Sequence, residues 1–264
     1  MPGFTIVLVE PLHEGNVGFT ARVMKNFGFT DLVLVNPCSL GEEAKARAMH
    51  ASDVLERARV LSLDEVFGES NLSIATTGEL SRSVCRSMRM PYYTPKEIRE
   101  QVRDLDGRVS ILFGRENWGL SNAEVERCDM VCTIPSSPDY PILNLSHAVG
   151  ILCYELANLP RGTYRLADRE EMEGFYTHLD HFLDRVEHAA YKRRNTLLMA
   201  RRILGRTLLT SREVTTMHGI LRRTEWHLTG GPWEPKEEKD RKGGKNEGNA
   251  ESYESENNEH SAGV

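Results

Sequence analysis

Several features typical of common protein classes are missing from this sequence. No apolar run approaches the ~18–20 residues that a bilayer span needs, and the N-terminus lacks the basic and then apolar segments of a signal peptide. The five cysteines form no C-x2-C pair, and neither a G-x-G-x-x-G motif nor a P-loop is present. We therefore expect a cytoplasmic protein with reduced cysteines, which is neither a nicotinamide-dependent Rossmann enzyme nor an NTPase.

Two weak metal-binding patterns remain, and neither is complete. Cys128 and Cys132 are four residues apart, so one helical turn can bring them together, but no second pair or neighbouring histidine completes a zinc site. His178 and His181 are three residues apart on a predicted helix, where a solvated surface is the simpler interpretation. We therefore expect no bound metal.

The net charge of −6 does not by itself indicate a nucleic-acid partner. The charge is uneven, however: residues 234–264 carry −4, and residues 189–223 hold nine basic residues against one acid, Glu213. Because a local patch sets the affinity for phosphates, we predict a nucleic-acid surface here, with a solvated helix face as the alternative. The predicted RNA-binding residues of this region are Arg193, Arg194, Arg201 and Arg202. A second basic stretch, between Glu79 and Glu97, adds Arg82, Arg86 and Arg89.

The first 160 residues alternate short apolar runs with helical patterns. The runs cover 5–9, 32–35, 72–76, 109–113 and 130–134. They are continuous rather than alternating, as in strands that are covered on both faces. Helical patterns between them include 16–27, 95–103 and 146–159. This order predicts an α/β fold with an open, mostly parallel sheet.

Only helices are expected after a predicted linker at 160–163. Apolar residues from Met172 to Val186 repeat at helical spacing, a second helix is predicted near 195–204, and Thr210 with Glu213 fits a capping box that opens a third. The segment from Pro235 onward has almost no apolar side chains and is predicted to be disordered. The predicted domains are an α/β domain (1–160), a helical extension (161–233) and a disordered acidic tail (234–264).

Three polar segments follow predicted strands, and ligands of parallel α/β sheets bind at that carboxyl edge. The first runs from Val9 to Arg22, with a helix predicted to start near Asn16. Gly18 and Arg22 are one helical turn apart, which leaves room for a flat substrate over the glycine. The alternative is that Asn16 caps the helix, Gly18 serves packing and Arg22 is solvated.

The other two segments follow the fourth and fifth apolar runs. One continues from Gly114 into a charged loop, where backbone can approach a ligand closely at the glycines and where Arg115 and Glu116 can bind ligand groups. The alternative is an ordinary turn. The last is a proline-rich loop that suits a nucleoside pocket, with Asn144 and Ser146 near the next helix, unless these two residues only cap that helix.

The three segments and parts of the helical extension, taken in order, resemble one superfamily. The motifs are Val9-Glu10 with Gly15-Asn-Val-Gly18 and Ala21-Arg22, Leu34-Val-Asn-Pro37, Phe113-Gly-Arg-Glu116 with Gly119-Leu120, Leu143-Asn-Leu145 after Tyr140, Phe175-Tyr176 with His178-Leu179, and Ile220-Leu-Arg222. Together they resemble the SPOUT (trefoil-knot) methyltransferases. The similarity is greatest to the branch that methylates the 2′-hydroxyl of nucleotide 32, a cytidine or uridine, in the tRNA anticodon loop.

The resemblance implies a trefoil-knotted α/β domain that binds S-adenosylmethionine (SAM) and needs no metal. It also implies a tRNA substrate and a homodimer with active sites at its interface. The implied catalytic residues are Arg22, Asn16 and Asn144. The implied SAM-binding residues are Thr76, Thr77, Gly78, Gly114, Arg115, Glu116, Ile134, Ile142, Leu143 and Asn144.

One segment departs from the pattern of the family. Bacterial relatives carry serines just after the tyrosine of the third segment, whereas here Tyr140 is followed by Pro141 and Ile142, and the next hydroxyl belongs to Ser146. The resemblance therefore fixes neither base preference nor the path of the proton. Two other functions stay open, methylation of ribosomal RNA by the same fold and RNA binding by a knotted protein without catalysis.

Overall fold

The structure is a computed structural model that describes residues 3–78, 91–159 and 164–229. The predicted linker at 160–163, the predicted disordered tail and the predicted RNA-binding residues Arg82, Arg86 and Arg89 lie outside the described residues. Met1–Leu221 form one compact unit. Arg222–Val264 form a second unit, whose described residues are helical.

A parallel sheet of six strands forms the centre of the first unit. Its strands are β1 (Gly3–Val9), β2 (Asp31–Val35), β3 (Arg59–Val60), β4 (Leu72–Thr76), β6 (Arg108–Phe113) and β7 (Met130–Cys132). A separate two-stranded sheet pairs β5 (Leu105–Asp106) with β8 (Tyr164–Arg165). The six-stranded order is β3-β2-β1-β6-β4-β7, and every neighbouring pair is parallel. The prediction of a mostly parallel α/β sheet is confirmed, and the five apolar runs all become strands.

Helices cover both faces of the sheet. They are α1 (Glu14–Asn26), α2 (Glu42–Ala48), α3 (Ser52–Glu56), α4 (Leu63–Glu69), α5 (Pro95–Val102), α6 (Asn122–Arg127), α7 (Leu145–Leu156), α8 (Arg169–Arg185), α9 (Ala190–Arg206) and α10 (Ser211–Thr229). Strand β1 shows why its run is continuous: Ile6 and Leu8 pack into one apolar cluster with α1 and α7, while Val7 and Val9 pack into a second with α4 and α6.

The start of α1 differs from the prediction in two ways. The helix begins at Glu14 after His13, so Asn16 lies in the first turn and is not a cap. A Cβ atom on Gly18 would lie 2.2 Å from the carbonyl oxygen of Ala44, because α2 crosses α1 at this point. The glycine therefore serves close helix packing, and the predicted approach of a flat substrate over it is wrong.

The helical extension forms its own apolar cluster, but helices are not its only regular structure. Phe175, Tyr176 and Val214 are its buried centre, and the predicted capping box of Thr210 and Glu213 is present. The expectation that the extension contains only helices is wrong, because it also contains the short strand β8, which pairs with β5. Two residues are too few to give a sequence pattern.

The cysteine and histidine patterns are structural in the described residues. Helix α6 ends before Cys128, and Cys132 lies in β7, so no helical turn joins them. Burial raises the pKa of both thiols to about 12. His178 is buried against His218, with 2.8 Å between their Nδ1 atoms, which contradicts a solvated face. Within the described residues, no cluster of three metal-binding side chains occurs, and no helix is long and apolar enough to cross a membrane.

Candidate active site

A cavity of about 360 Å³ lies at the carboxyl edge of the sheet, within the range typical of small-ligand sites. Strands β1, β6, β4 and β7 are neighbours in the sheet and parallel, so the loops after them meet there. Nine of the ten predicted SAM-binding residues line this cavity, and Asn144 does not. Those nine are Thr76, Thr77, Gly78, Gly114, Arg115, Glu116, Ile134, Ile142 and Leu143.

Arg115 has a structural role that the sequence did not suggest. Its guanidinium group donates to Glu10 at 2.8 Å and to both carboxylate oxygens of Glu124 at 2.8 and 3.0 Å, and it is almost fully buried. Burial by itself would lower the pKa of Arg115, but the bonds to Glu124 and Glu10 raise it above its ordinary value. The predicted binding of ligand groups by this side chain is therefore wrong, because its donors are already used.

The loop from Arg115 to Gly119 is closed by its own backbone. The Arg115 amide donates to the Gly119 carbonyl at 3.2 Å, and the Gly119 amide donates back at 2.8 Å. Gly119 has a φ of 72°, which glycine adopts without strain. A Cβ atom on Gly114 would lie 2.0 Å from the carbonyl carbon of Gly119. Gly114 is therefore required by the close approach of this loop.

Glu116 connects the loop after β6 to the loop after β1. Its carboxylate accepts hydrogen bonds from the amides of Leu12 (2.9 Å) and His13 (3.3 Å) and from Asn16 Nδ2 (2.9 Å). Burial alone would raise the pKa of Glu116, but the hydrogen bonds, above all that from Asn16, hold it below its ordinary value. The group is therefore ionised at neutral pH and fixes two sides of the cavity edge.

We expect Glu116→Gln to lower stability in a pH-dependent manner. A carboxyl group whose pKa is lowered in the folded state stabilises the fold above its unfolded pKa, and that contribution is lost as the pH falls through the folded value. The wild type should exceed the variant in free energy of unfolding at pH 7. The difference should shrink as the pH falls below the ordinary glutamate pKa of about 4.3 and vanish once the pH is below the lowered folded pKa. Urea unfolding across this range measures it, and a difference independent of pH would contradict the assignment.

Asn16 and Asn144 extend this chain of hydrogen bonds. Asn144 Nδ2 donates to Asn16 Oδ1 at 3.1 Å, and Asn144 Oδ1 accepts from the Ser146 amide (2.9 Å) and hydroxyl (2.8 Å). Asn144 therefore caps α7, as the alternative interpretation had it, and also belongs to the chain Glu116–Asn16–Asn144. The buried Ser146 hydroxyl is held by Asn144 and is poorly placed to accept a proton from a substrate.

Within one polypeptide chain, Arg22 lies outside the cavity. Its side chain is exposed, and it makes no hydrogen bond or ion pair with the described residues. It follows Asn16 by six residues of α1, about 9 Å of helix rise, and it does not line the cavity. The structure thus brings Asn16, Asn144 and Glu116 together but leaves Arg22 outside their hydrogen-bonded chain.

The four described arginines predicted to bind RNA are held by other parts of the protein. Arg193 pairs with Asp180 and Asp184, Arg194 with Glu126, and Arg201 with both oxygens of Glu173. Arg202 is buried and donates to the carbonyl of Val125 at 3.0 Å. The region lacks acids in sequence, but α6 and α8 supply them in space. The argument from unbalanced charge is therefore wrong for these residues.

We expect Arg201→Glu to destabilise the extension by about 2 kcal/mol, because it places a carboxylate against Glu173 at a position where the Arg201 side chain is only 20% exposed. The Arg201 guanidinium carbon also lies 4.2 Å from the ring centroid of Tyr176, a contact that is lost. Thermal unfolding followed by circular dichroism measures the change. Arg194→Glu is the matched control, since that side chain is 75% exposed, and an equal effect of both changes would refute the expectation.

Sequence patterns missed the supports of the site. Glu10 and Glu124 hold Arg115, yet they lie 105 and nine residues from it in the chain. Trp118 was also missed, although it lines the cavity and packs against Arg115. One available signal for Trp118 was the composition of its loop, in which a large aromatic residue stands between charged residues and a glycine.

Known proteins share both parts of this architecture. The model of the SpoU rRNA methylase family matches residues 3–154, and that of the C-terminal domain of the tRNA methyltransferase TrmJ matches residues 170–238. The tRNA (cytidine-2′-O-)-methyltransferase TrmJ of Methanocaldococcus jannaschii is 35% identical over 222 residues, 81% of this chain and 96% of that protein.

Two further relatives extend the similarity to nearly the full described chain. The tRNA (cytidine/uridine/adenosine-2′-O-)-methyltransferase TrmJ of Pseudomonas aeruginosa is 34% identical over 83% of this chain and 93% of its own. The crystal structure of TrmJ from Z. mobilis ZM4 superposes with a TM-score of 0.68 at 31% identity, covering 85% of this chain and 99% of that one. This chain therefore belongs to the SpoU methylase family, in the branch formed by the TrmJ tRNA methyltransferases.

Proposed function

We propose that this protein is a SAM-dependent tRNA 2′-O-methyltransferase that modifies nucleotide 32 of the anticodon loop. The observation that carries the proposal is the chain of hydrogen bonds Glu116–Asn16–Asn144 beside the cavity. It joins the loops after β1, β6 and β7, which are the three segments that resemble the SPOUT motifs. The tRNA activity in the names of the relatives supports the substrate.

The cavity has the chemical character that SAM requires. Apolar side chains such as Ile134, Ile142 and Leu120 form walls suited to an adenine ring, while the loop backbones at Thr77 and Gly114 offer polar groups. Glu116 adds an ionised carboxylate, which favours a cationic sulfonium ligand. When bound, SAM supplies an electrophilic methyl group.

The protein residues would position the ribose and stabilise charge. Methyl transfer needs in-line approach of the 2′-oxygen, and most of the rate gain comes from positioning. A guanidinium group is a poor general base, so that role is not assigned to Arg22. We assign it to the neighbouring phosphate and to the alkoxide that develops at the 2′-oxygen. Asn16 and Asn144, held by Glu116 and Ser146, would orient the hydroxyl.

Methylation of ribosomal RNA is the alternative with specific support, and one experiment separates it from methylation of tRNA. The description of the SpoU family model names rRNA, whereas the match of residues 170–238 to the TrmJ C-terminal domain favours tRNA. Transfer of radiolabelled methyl groups from SAM to bulk tRNA, and none to ribosomal RNA, is the expected result. Mapping of methylated riboses then identifies the nucleotide, and SAM binding without transfer to any RNA would favour a non-catalytic protein.

The domain boundaries and the knot belong to the same proposal. We assign residues 1–160 to a SPOUT domain with a trefoil knot near its C-terminal end, 161–233 to the helical extension and 234–264 to an acidic tail. The spans of the two family models support the first two parts. Arg169 of the extension pairs with Asp129 at 3.3 Å, so the two parts are expected to depend on each other for stability.

We expect a homodimer, with Arg22 of one chain completing the cavity of the other. Phe19, Ile151 and Tyr154 are exposed apolar residues on α1 and α7, two helices that pack together, and such a surface suits an interface. Light scattering should give about twice the 29.9 kDa of one chain. Tyr154→Asp should shift it towards monomer, whereas Tyr191→Asp, on exposed α9, should not. A monomer with full activity would refute the dimer.

A further inference from the structure

Trp118 is a large apolar side chain at the mouth of the cavity. Its residue lines the cavity, yet 56% of it is exposed to solvent. The Arg115–Gly119 backbone pair closes the short loop that carries it, so the position of its Cα atom is restricted. An exposed tryptophan held beside a cavity offers a large apolar face to a ligand that enters there.

One face of the indole ring rests on a rigid support. The Arg115 guanidinium carbon lies 4.1 Å from the ring centroid, within the range of a cation–π contact. That guanidinium group is itself fixed by Glu10 and by both oxygens of Glu124. Arg115 therefore supports and orients the Trp118 ring. The exposed area of the ring can contact another planar group.

We propose that Trp118 is a substrate-binding residue on which a nucleobase of the RNA stacks as the ribose enters the site. This inference rests on the proposed function and adds the group that holds the base. The loop of Leu12 and His13 is joined to the loop of Trp118, because both amides donate to the Glu116 carboxylate. The exposure of the ring favours the incoming RNA over the enclosed cofactor.

Stacking on an aromatic ring is compatible with methylation of more than one base. The names of the relatives give different bases, cytidine in one and cytidine, uridine or adenosine in another. Every base has a π-face, so stacking on an aromatic side chain contributes affinity with little base preference. A hydrogen-bonded pocket for one base would discriminate strongly, since mismatched groups are left unpaired.

Kinetics of the full chain give the first test. Trp118→Ala should raise the KM for an unmodified tRNA transcript about tenfold, while kcat and SAM affinity change little. Trp118→Phe should restore most of the loss, and the loss should be similar for transcripts with different bases at the methylated position. An unchanged KM, a loss confined to SAM affinity, or conversion to monomer by light scattering would each overturn the proposal.

Fluorescence gives a second test that needs no turnover. The chain has three tryptophans, so the double substitution Trp226→Phe and Trp233→Phe leaves Trp118 as the reporter. Addition of the transcript with S-adenosylhomocysteine should quench its emission through base stacking. Quenching by S-adenosylhomocysteine alone, or by neither ligand, would refute the proposal. If the wild type transfers no methyl group to tRNA, the proposed function fails, but this titration still reports whether RNA stacks on Trp118.

Discussion

Replacing Arg22 with alanine is expected to lower methyl transfer to tRNA by about 10²–10³-fold while SAM affinity stays within experimental error. The magnitude is that of removing one donor that stabilises developing negative charge. The fold should be unaffected, because the side chain is exposed and has no partner among the described residues. Single-turnover transfer with saturating SAM measures the chemical step, and calorimetry measures SAM binding.

Three further variants sharpen the test of Arg22. Arg22→Lys keeps the charge but loses the forked donor, so it should recover only part of the rate. Arg57→Ala, which removes an exposed arginine from an i, i+4 pair, is the control and should behave as wild type. If the site is shared between chains, mixing Arg22→Ala with Asn144→Ala should restore turnover. Near-normal turnover of Arg22→Ala alone would contradict the assignment.

Replacing Arg115 with alanine is expected to destabilise the first unit by about 3–5 kcal/mol, because it leaves the buried Glu124 carboxylate without its cation. For a domain of this size that corresponds to a fall in Tm of roughly 10 °C. The 115–119 loop should also lose its order, since the guanidinium group joins Glu10, Glu124 and the ring of Trp118. SAM affinity is therefore expected to fall with stability.

Thermal unfolding and SAM calorimetry on the same sample separate these effects. Arg57→Ala again serves as control, since exposed pairs contribute less than about 1 kcal/mol. Glu10→Gln should cost less than Arg115→Ala, because it removes one of two carboxylates and that carboxylate is 41% exposed. If Arg115→Ala abolished SAM binding and left the Tm unchanged, Arg115 would contact the ligand directly, contrary to the structure.

Much of the fold followed from local patterns. Continuous apolar runs predicted buried parallel strands, since a strand covered on both faces needs apolar residues at every position, as Ile6, Val7 and Leu8 show. The capping box at Thr210 was also predictable, because its two partners are three residues apart. Strands β3, β5 and β8 were not, because two residues carry no periodicity and the pairing is decided by distant neighbours.

The candidate site was predicted in position but not in detail. The strand-end argument indicated the loops after β1, β6 and β7, of which the last two line the cavity. The family resemblance supplied the loop after β4 and the individual residues. Spacing could not reveal that Arg115 is used up by Glu10 and Glu124, nor that Gly18 lies under Ala44. The composition of the loop indicated Trp118 only weakly, and its contact with Arg115 is known only from the folded chain.

The parallel sheet, the helical extension and the loops that carry the site could be read from the amino-acid sequence, because these depend on local hydrophobic order and on motifs contiguous in the chain. Which charges are free became known only from the folded structure. Arg193, Arg194 and Arg201 meet acids from α6 and α8, whereas exposed Arg22 meets none in the described residues. Electrostatic interactions depend on separation in space, and contacts between distant segments exist only once the chain has folded.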